Sequence, residues 1–176
     1  MHLIGQRALQ IAVVLIGLNL DIGQLIASSV EYCALVSACV IMTFVVGLAL
    51  GSLIYDNRKY NLLVSSGTAI CGGTAVASLS TTIGARPEQT GIVLTIVFCL
   101  NAIALLIFPS IGEWLEMSQE QFGVWCAVAI HDTSSVIATA ARFGDDSAQI
   151  ATILKLLRTL WLIPLLIFAS LVEKRQ

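Results

Sequence analysis

Charged side chains are scarce in this 176-residue chain. There are 9 Lys+Arg and 11 Asp+Glu, or 11 % of all residues, where a soluble domain carries about 25 %. That scarcity excludes a disordered chain and a nucleic-acid binder acting through a basic patch. Histidine is scarcer still, at two residues. The chain has no His-Glu-x-x-His zinc pattern and no Gly-x-Ser-x-Gly elbow. It also lacks a Cys-x-x-Cys pair. Cys33, Cys39, Cys71, Cys99 and Cys126 lie singly inside apolar runs, as small reduced hydrophobes rather than metal ligands or disulfide partners. No linker or low-complexity tract divides the sequence, so residues 1–176 read as a single transmembrane domain. No cleavable signal peptide is evident at its start.

Apolar residues dominate what is present. They make up 57 % of the chain, and the mean hydropathy is +0.92. A water-soluble globule of this size cannot bury so much apolar surface. The composition therefore predicts an all-α, polytopic membrane protein. Spans need about 20 apolar residues, and about six segments approach that length: 8–26, 32–55, 62–85, 90–111, 122–143 and 148–172. The first carries a polar notch, Asn19-Leu20-Asp21, read as a helix end. The second contains Gly47-Leu-Ala-Leu-Gly51, a spacing of small residues that lets a neighbouring helix approach. The fourth is plain and is expected to close at Pro109 and Gly112. The turns carry Pro87 as a helix start, Ser118 as an N-cap, and Gly144 between two helices. Trp114 is placed as an interfacial anchor.

The third and fifth segments differ in kind and are expected to be broken near the bilayer midplane. The third has Gly67-Thr-Ala-Ile-Cys-Gly-Gly-Thr74 at its centre, and the fifth has Ile130-His-Asp-Thr-Ser-Ser135. Two topologies fit. If all six segments cross, Arg7, Arg58, Lys59, Lys174 and Arg175 share one side against Arg86 and Arg142. If segments three and five are re-entrant hairpins, Arg86 joins the larger group. The bias of Lys and Arg puts both termini in the cytoplasm in either case and does not choose between them.

Only Asp132, Lys155 and Arg158 carry formal charge deep within apolar segments. Each costs about 2.5–3.5 kcal/mol at a helix centre, so each needs a partner or a water-filled cavity. Lys155 and Arg158 are three apart and share a helix face. Asp132 can neutralise one of them, which leaves one positive charge, or two with His131 protonated. A cavity of that balance favours an anion. The alternative is an internal ion pair that locks segment five to segment six. The Gly-Gly break would expose backbone N–H groups at a new helix N-terminus, and these bind anions; close helix packing through small residues is the competing explanation. The candidate substrate-binding residues are therefore Gly67, Thr68, Cys71, Gly72, Gly73, Thr74, His131, Asp132, Ser134, Ser135, Lys155 and Arg158. His131, Asp132, Ser134 and Ser135 do not make a hydrolase, because close neighbours on one helix cannot face one another as a triad. Neither an enzyme, a cofactor nor a metal site is expected.

These blocks resemble the sulfate exporter family of bacterial inner-membrane proteins. The resemblance rests on Gly67–Ala75, on Gln121-Phe-Gly-Val-Trp125 followed by Ala129–Val136, on Lys155-Leu-Leu-Arg158 with Pro164 beyond, and on Ile16-Gly-Leu-Asn-Leu20. It extends to the superfamily of bile, arsenite and riboflavin transporters. It implies inverted repeats, helices broken near the midplane and secondary transport of a small anion across the inner membrane. Asn19 stands where that family often has Arg, and Ser80-Thr-Thr-Ile-Gly84 lacks the proline expected after Gly73. The chain also reads as a shortened member, resembling the middle of a longer inverted-repeat transporter. The alternative function is a non-transporting membrane protein or an oligomeric, channel-like scaffold. The expected partners are a small anion, the lipid bilayer and a second copy of the chain, with no nucleic acid.

Overall fold

The structure, a computed structural model, describes residues 22–54 and 57–173. Asn19, Asp21, Arg7, Lys174 and Arg175 lie outside the described residues. Eight helices run through the described part: α1 (Ile22–Ile54), α2 (Arg58–Ala69), α3 (Gly73–Thr82), α4 (Pro87–Trp114), α5 (Gln119–Ala129), α6 (Thr133–Ala141), α7 (Asp145–Leu160) and α8 (Leu162–Glu173).

Length alone separates these helices into two kinds. The span Tyr32–Ile54 within α1, all of α4, and α7 running into α8 are each long and apolar enough to cross a membrane. The other four are not. At 1.5 Å per residue, α2 is about 18 Å long and α6 about 14 Å, against a hydrocarbon core of about 30 Å. Each therefore reaches only about the midplane and must turn back. The ends of the pairs confirm it. Lys59, in the first turn of α2, donates to the Gly84 carbonyl just past α3, at 3.2 Å. Gln119, opening α5, accepts from the backbone N–H of Asp146, just past α6, at 3.1 Å, and Phe122 of α5 stacks on Phe143, 4.0 Å between ring centroids. Segments three and five thus each fold back as a helical hairpin. The long apolar helix α4 runs between the two hairpins. The architecture is all-helical with two broken segments, and three helices of the described part are long and apolar enough to cross a membrane.

Local chemistry sets the boundaries. Asn57 caps α2, accepting from the Tyr60 N–H at 3.2 Å. Pro87 occupies the first position of α4, where its missing N–H is harmless. Ser118 and Gln121 form a reciprocal capping box at α5. Gly144 precedes α7, whose first turn carries Asp145 and Asp146. Two boundaries differ from the sequence reading. Helix α1 includes residues 22–31, because 27–31 holds neither glycine nor proline to stop it. Helix α4 runs through Pro109 to Trp114 instead of closing there. Proline cannot donate to the carbonyl four residues earlier. That carbonyl, on Leu105, instead accepts from the Arg142 guanidinium at 3.3 Å, so the helix continues.

The glycine pair of α1 serves close packing. A Cβ on Gly51 would stand 1.8 Å from the Asn61 side-chain oxygen, and one on Gly47 would stand 2.9 Å from the Ser65 hydroxyl. Helix α2 can therefore lie directly on α1, and Asn61 donates to the Leu48 carbonyl at 2.9 Å. One apolar cluster joins Leu63, Val76 and Leu79 of the first hairpin to Val93 and Val97 of α4. Another joins Phe122, Cys126, Ile130, Val136 and Ala140 of the second hairpin to Ala104 and Ala151. Leu53, Leu106, Phe168 and Trp114 remain exposed, as befits surfaces solvated by lipid and, for Trp114, by the interface.

Candidate functional site at the crossing of the hairpin tips

The first hairpin turns at Ile70, Cys71 and Gly72. Gly72 adopts φ 61°, a left-handed conformation that costs any residue with a Cβ roughly 1–2 kcal/mol. Its N–H returns to the Gly67 carbonyl at 2.9 Å. The second hairpin turns through Ile130, His131 and Asp132, with Ile130 and Asp132 extended. The two turns meet. A Cβ on Gly72 would lie 3.3 Å from the carbonyl carbon of His131 and 3.0 Å from Val97 of α4.

Breaking a helix strands the carbonyls of its last turn, which carry about half a negative charge. Two such ends, α2 and α5, lie together at membrane depth, and α7 brings two cations to them. Lys155 is completely buried and donates to the Ile70 carbonyl at 3.3 Å and the Ile130 carbonyl at 2.9 Å. Arg158 donates to Ala69 at 2.7 Å, Ala127 at 3.0 Å and Val128 at 2.7 Å, and to the Thr68 carbonyl. Each cation thus ties the C-terminal end of one hairpin's first arm to that of the other. The fork of the guanidinium suits divergent carbonyls in a way an ammonium cannot.

Asp132 does not take the role of counter-ion to these cations. Its carboxylate caps α6, accepting from the Ser135 N–H at 3.1 Å, the Ser135 hydroxyl at 3.3 Å and the Ser134 hydroxyl. Among the described residues the direct hydrogen-bond partners of both cations are backbone carbonyls, and Asp132 makes no direct bond to either. No such side-chain cap closes α3, so the N-terminus at Gly72, Gly73 and Thr74 keeps its dipole unopposed.

The residues singled out from the sequence divide into three groups. Thr68, Cys71, Gly72, His131, Lys155 and Arg158 come together at the crossing. Ser134, Ser135 and Asp132 satisfy one another on α6. Gly67 serves packing inside the first hairpin, where a Cβ would meet Val76 at 2.7 Å. Gly73 and Thr74 begin α3, with Thr74 exposed.

Two features escaped the sequence reading. Asn101, 2 % exposed in the middle of α4, accepts from the backbone N–H of His131 at 3.0 Å and fixes the second turn. Its amide nitrogen and His131 Nδ1 are buried without hydrogen-bond partners. A lone asparagine in a long apolar helix was the available signal. The second feature is an internal repeat. Ala69, Ile70, Val76 and Gly84 recur as Ala129, Ile130, Val136 and Gly144, each 60 residues later. Lys155 joins two equivalent carbonyls of this repeat, Ile70 and Ile130.

Three helices long and apolar enough to cross a membrane, with two broken-helix hairpins between them, mark a helical membrane protein. The chain belongs to the family described as conserved hypothetical protein 698, which it matches over residues 1–176. It is 41 % identical over 169 residues to a UPF0324 membrane protein of Photobacterium profundum, covering 96 % of this chain and 52 % of that protein. A UPF0324 membrane protein of Porphyromonas gingivalis is 42 % identical over 169 residues, covering 96 % of this chain and 51 % of that one. The chain spans about half the length of these curated relatives. No solved structure matches it.

Proposed function

We propose that the protein carries the substrate site of a secondary transporter for a small anion, sulfate-like or organic, in the bacterial inner membrane. The observation that carries this reading is the crossing itself, at Gly72 and His131, with Lys155 and Arg158 behind it. The charges there can be summed. The two arm C-termini and the two arm N-termini, at about half a charge each, cancel. Lys155, Arg158 and Asp132 then leave one positive charge at membrane depth. An anion bound at the uncapped N-terminus of α3, on the N–H groups of Gly73 and Thr74, would balance it. Opposed broken helices around a midplane site are a recurrent transporter design, and the resemblance to sulfate exporters agrees with that. His131 and Asp132 are the groups placed to couple protonation to binding.

We read the two hairpins as re-entering from opposite faces with α4 crossing between them, and this reading supports an orientation. Arg58, Lys59 and Arg86 share one face, whereas Arg142 lies on the other with Glu113, Glu116, Glu120, Asp145 and Asp146. The basic face is assigned to the cytoplasm.

The test is thermal unfolding of the purified protein in mild detergent with sulfate, sulfite, chloride and small organic acids. A ligand at 100 times its dissociation constant adds about 2.7 kcal/mol to a folded state that alone binds it. A selective, saturable rise that weakens in Thr74→Val is expected. No rise with any anion, from well-folded protein, refutes the site and leaves the non-transporting alternative.

A further inference from the structure

Outside the crossing, the most telling feature is a groove between α1 and α8. Its upper part is a cavity of about 220 Å³ whose mouth carries Arg58 and Lys59 and whose walls include Phe44, Leu165 and Phe168. No acidic side chain is among its described lining residues. A second cavity of about 210 Å³ shares those three walls and continues between the same helices to Trp161, beside the first hairpin's turn. Its lining side chains are all apolar. The two cavities adjoin along Phe44, Leu165 and Phe168, the first carrying the charged residues and the second lined by apolar side chains.

Its depth matches one leaflet. Phe44 lies ten residues before Ile54, the end of α1, or about 15 Å along the helix, which is half of a 30 Å hydrocarbon core. The basic end therefore stands at the headgroup level and the apolar end near the midplane. Lys59 is fixed at the mouth by its bond to the Gly84 carbonyl, and Arg58 is exposed beside it. We propose that this groove binds an anionic phospholipid, its phosphate on Arg58 and Lys59 and an acyl chain laid along Phe44, Leu165 and Phe168 towards Trp161. Charge complementarity selects an anionic head, and the apolar continuation selects a lipid over a free phosphate. The proposal rests on membrane residence alone and is independent of transport.

Native mass spectrometry and thermal unfolding of the full chain in mild detergent test it, with phosphatidylglycerol, phosphatidylcholine or inorganic phosphate added. Phosphatidylglycerol should remain bound at one per chain and raise the unfolding midpoint, whereas phosphatidylcholine and inorganic phosphate should do neither. Arg58→Gln/Lys59→Gln should weaken retention roughly thirtyfold, the combined weight of two interfacial cations. Leu165→Trp, which fills the groove without touching the charges, should weaken it as well. Equal retention of both lipids, or unchanged retention in the double variant, overturns the proposal. Equal stabilisation by inorganic phosphate reassigns the basic mouth to a free anion and overturns the lipid. Crosslinking of Phe168→Cys between two chains assigns the groove to an interface between copies and likewise overturns it.

Discussion

Gly72 faces His131 where the two hairpin turns meet, with no room between them for a side chain on the glycine. A Cβ on Gly72 would sit 3.3 Å from the carbonyl carbon of His131 and 3.0 Å from a methyl of Val97. The residue is also in the left-handed region, at φ 61°. Gly72→Ala should therefore cost roughly 2–4 kcal/mol from backbone strain and overpacking together. Gly91→Ala is the control. Nothing lies within 4 Å of a Cβ there, and alanine favours the helix. Thermal unfolding in detergent should separate the two variants clearly; a parent-like melt for Gly72→Ala would mean that the tips do not pack as described.

Arg158 should prove a structural cation before it proves anything else. From the sequence, neutralising Lys155 or Arg158 is expected to abolish anion binding and leave insertion intact. The carbonyl ties change that expectation. Arg158→Gln strands the carbonyls of Thr68, Ala69, Ala127 and Val128, and unpaired buried groups cost about 1–3 kcal/mol each. A loss of roughly 3–5 kcal/mol is expected, since the carbonyls relax in part. Arg158→Lys keeps the charge and loses the fork, so it should fall between parent and Arg158→Gln. If Arg158→Gln melts like the parent, the cation is free for a ligand and the structural role fails.

What the sequence made legible was the chemistry at the breaks. Gly72, His131, Lys155 and Arg158 are conspicuous because glycine pairs and charges are costly at membrane depth, and the fold does gather them. The path of the chain was not legible. Residues 62–85 and 122–143 are long enough to cross when counted as whole segments. Only the position of the break, which leaves arms of 9 to 12 residues, makes them re-enter. The partners of the cations were also hidden. A search for countercharge finds Asp132, since sequence displays side chains, whereas backbone carbonyls become acceptors only after the helices have stopped. Asn101 was passed over for a related reason: its value depends on the His131 N–H that the second break sets free.

The hairpin topology predicts which residues share a side of the membrane. Arg58→Cys and Arg86→Cys should react with an impermeant maleimide from the same side, and Arg142→Cys from the other. All three sites are exposed, and of their side chains only Arg142 gives up a described bond, to the Leu105 carbonyl. The native Cys33, Cys39 and Cys99 lie within the candidate spans of α1 and α4, and Cys71 and Cys126 are buried, so a parent background is expected to react little. Labelling of positions 58 and 86 from opposite sides would mean that α2 and α3 cross the bilayer, and the re-entrant architecture would fall.

Pro109 and Arg142 should be energetically coupled. Pro109 leaves the Leu105 carbonyl without its helical donor, and Arg142 supplies one at 3.3 Å from the end of the second hairpin. Arg142→Gln alone should cost roughly 1 kcal/mol, the net worth of a hydrogen bond. Pro109→Ala restores an N–H to the helix, after which the Leu105 carbonyl no longer needs the guanidinium. In that background Arg142→Gln should cost nothing. A double-mutant cycle of unfolding midpoints reads the difference directly. Additive effects would show that Arg142 does not compensate for the proline; a positive coupling would show how α4 tolerates a helix breaker and still crosses the bilayer, which is what lets the second hairpin enter from the face opposite the first.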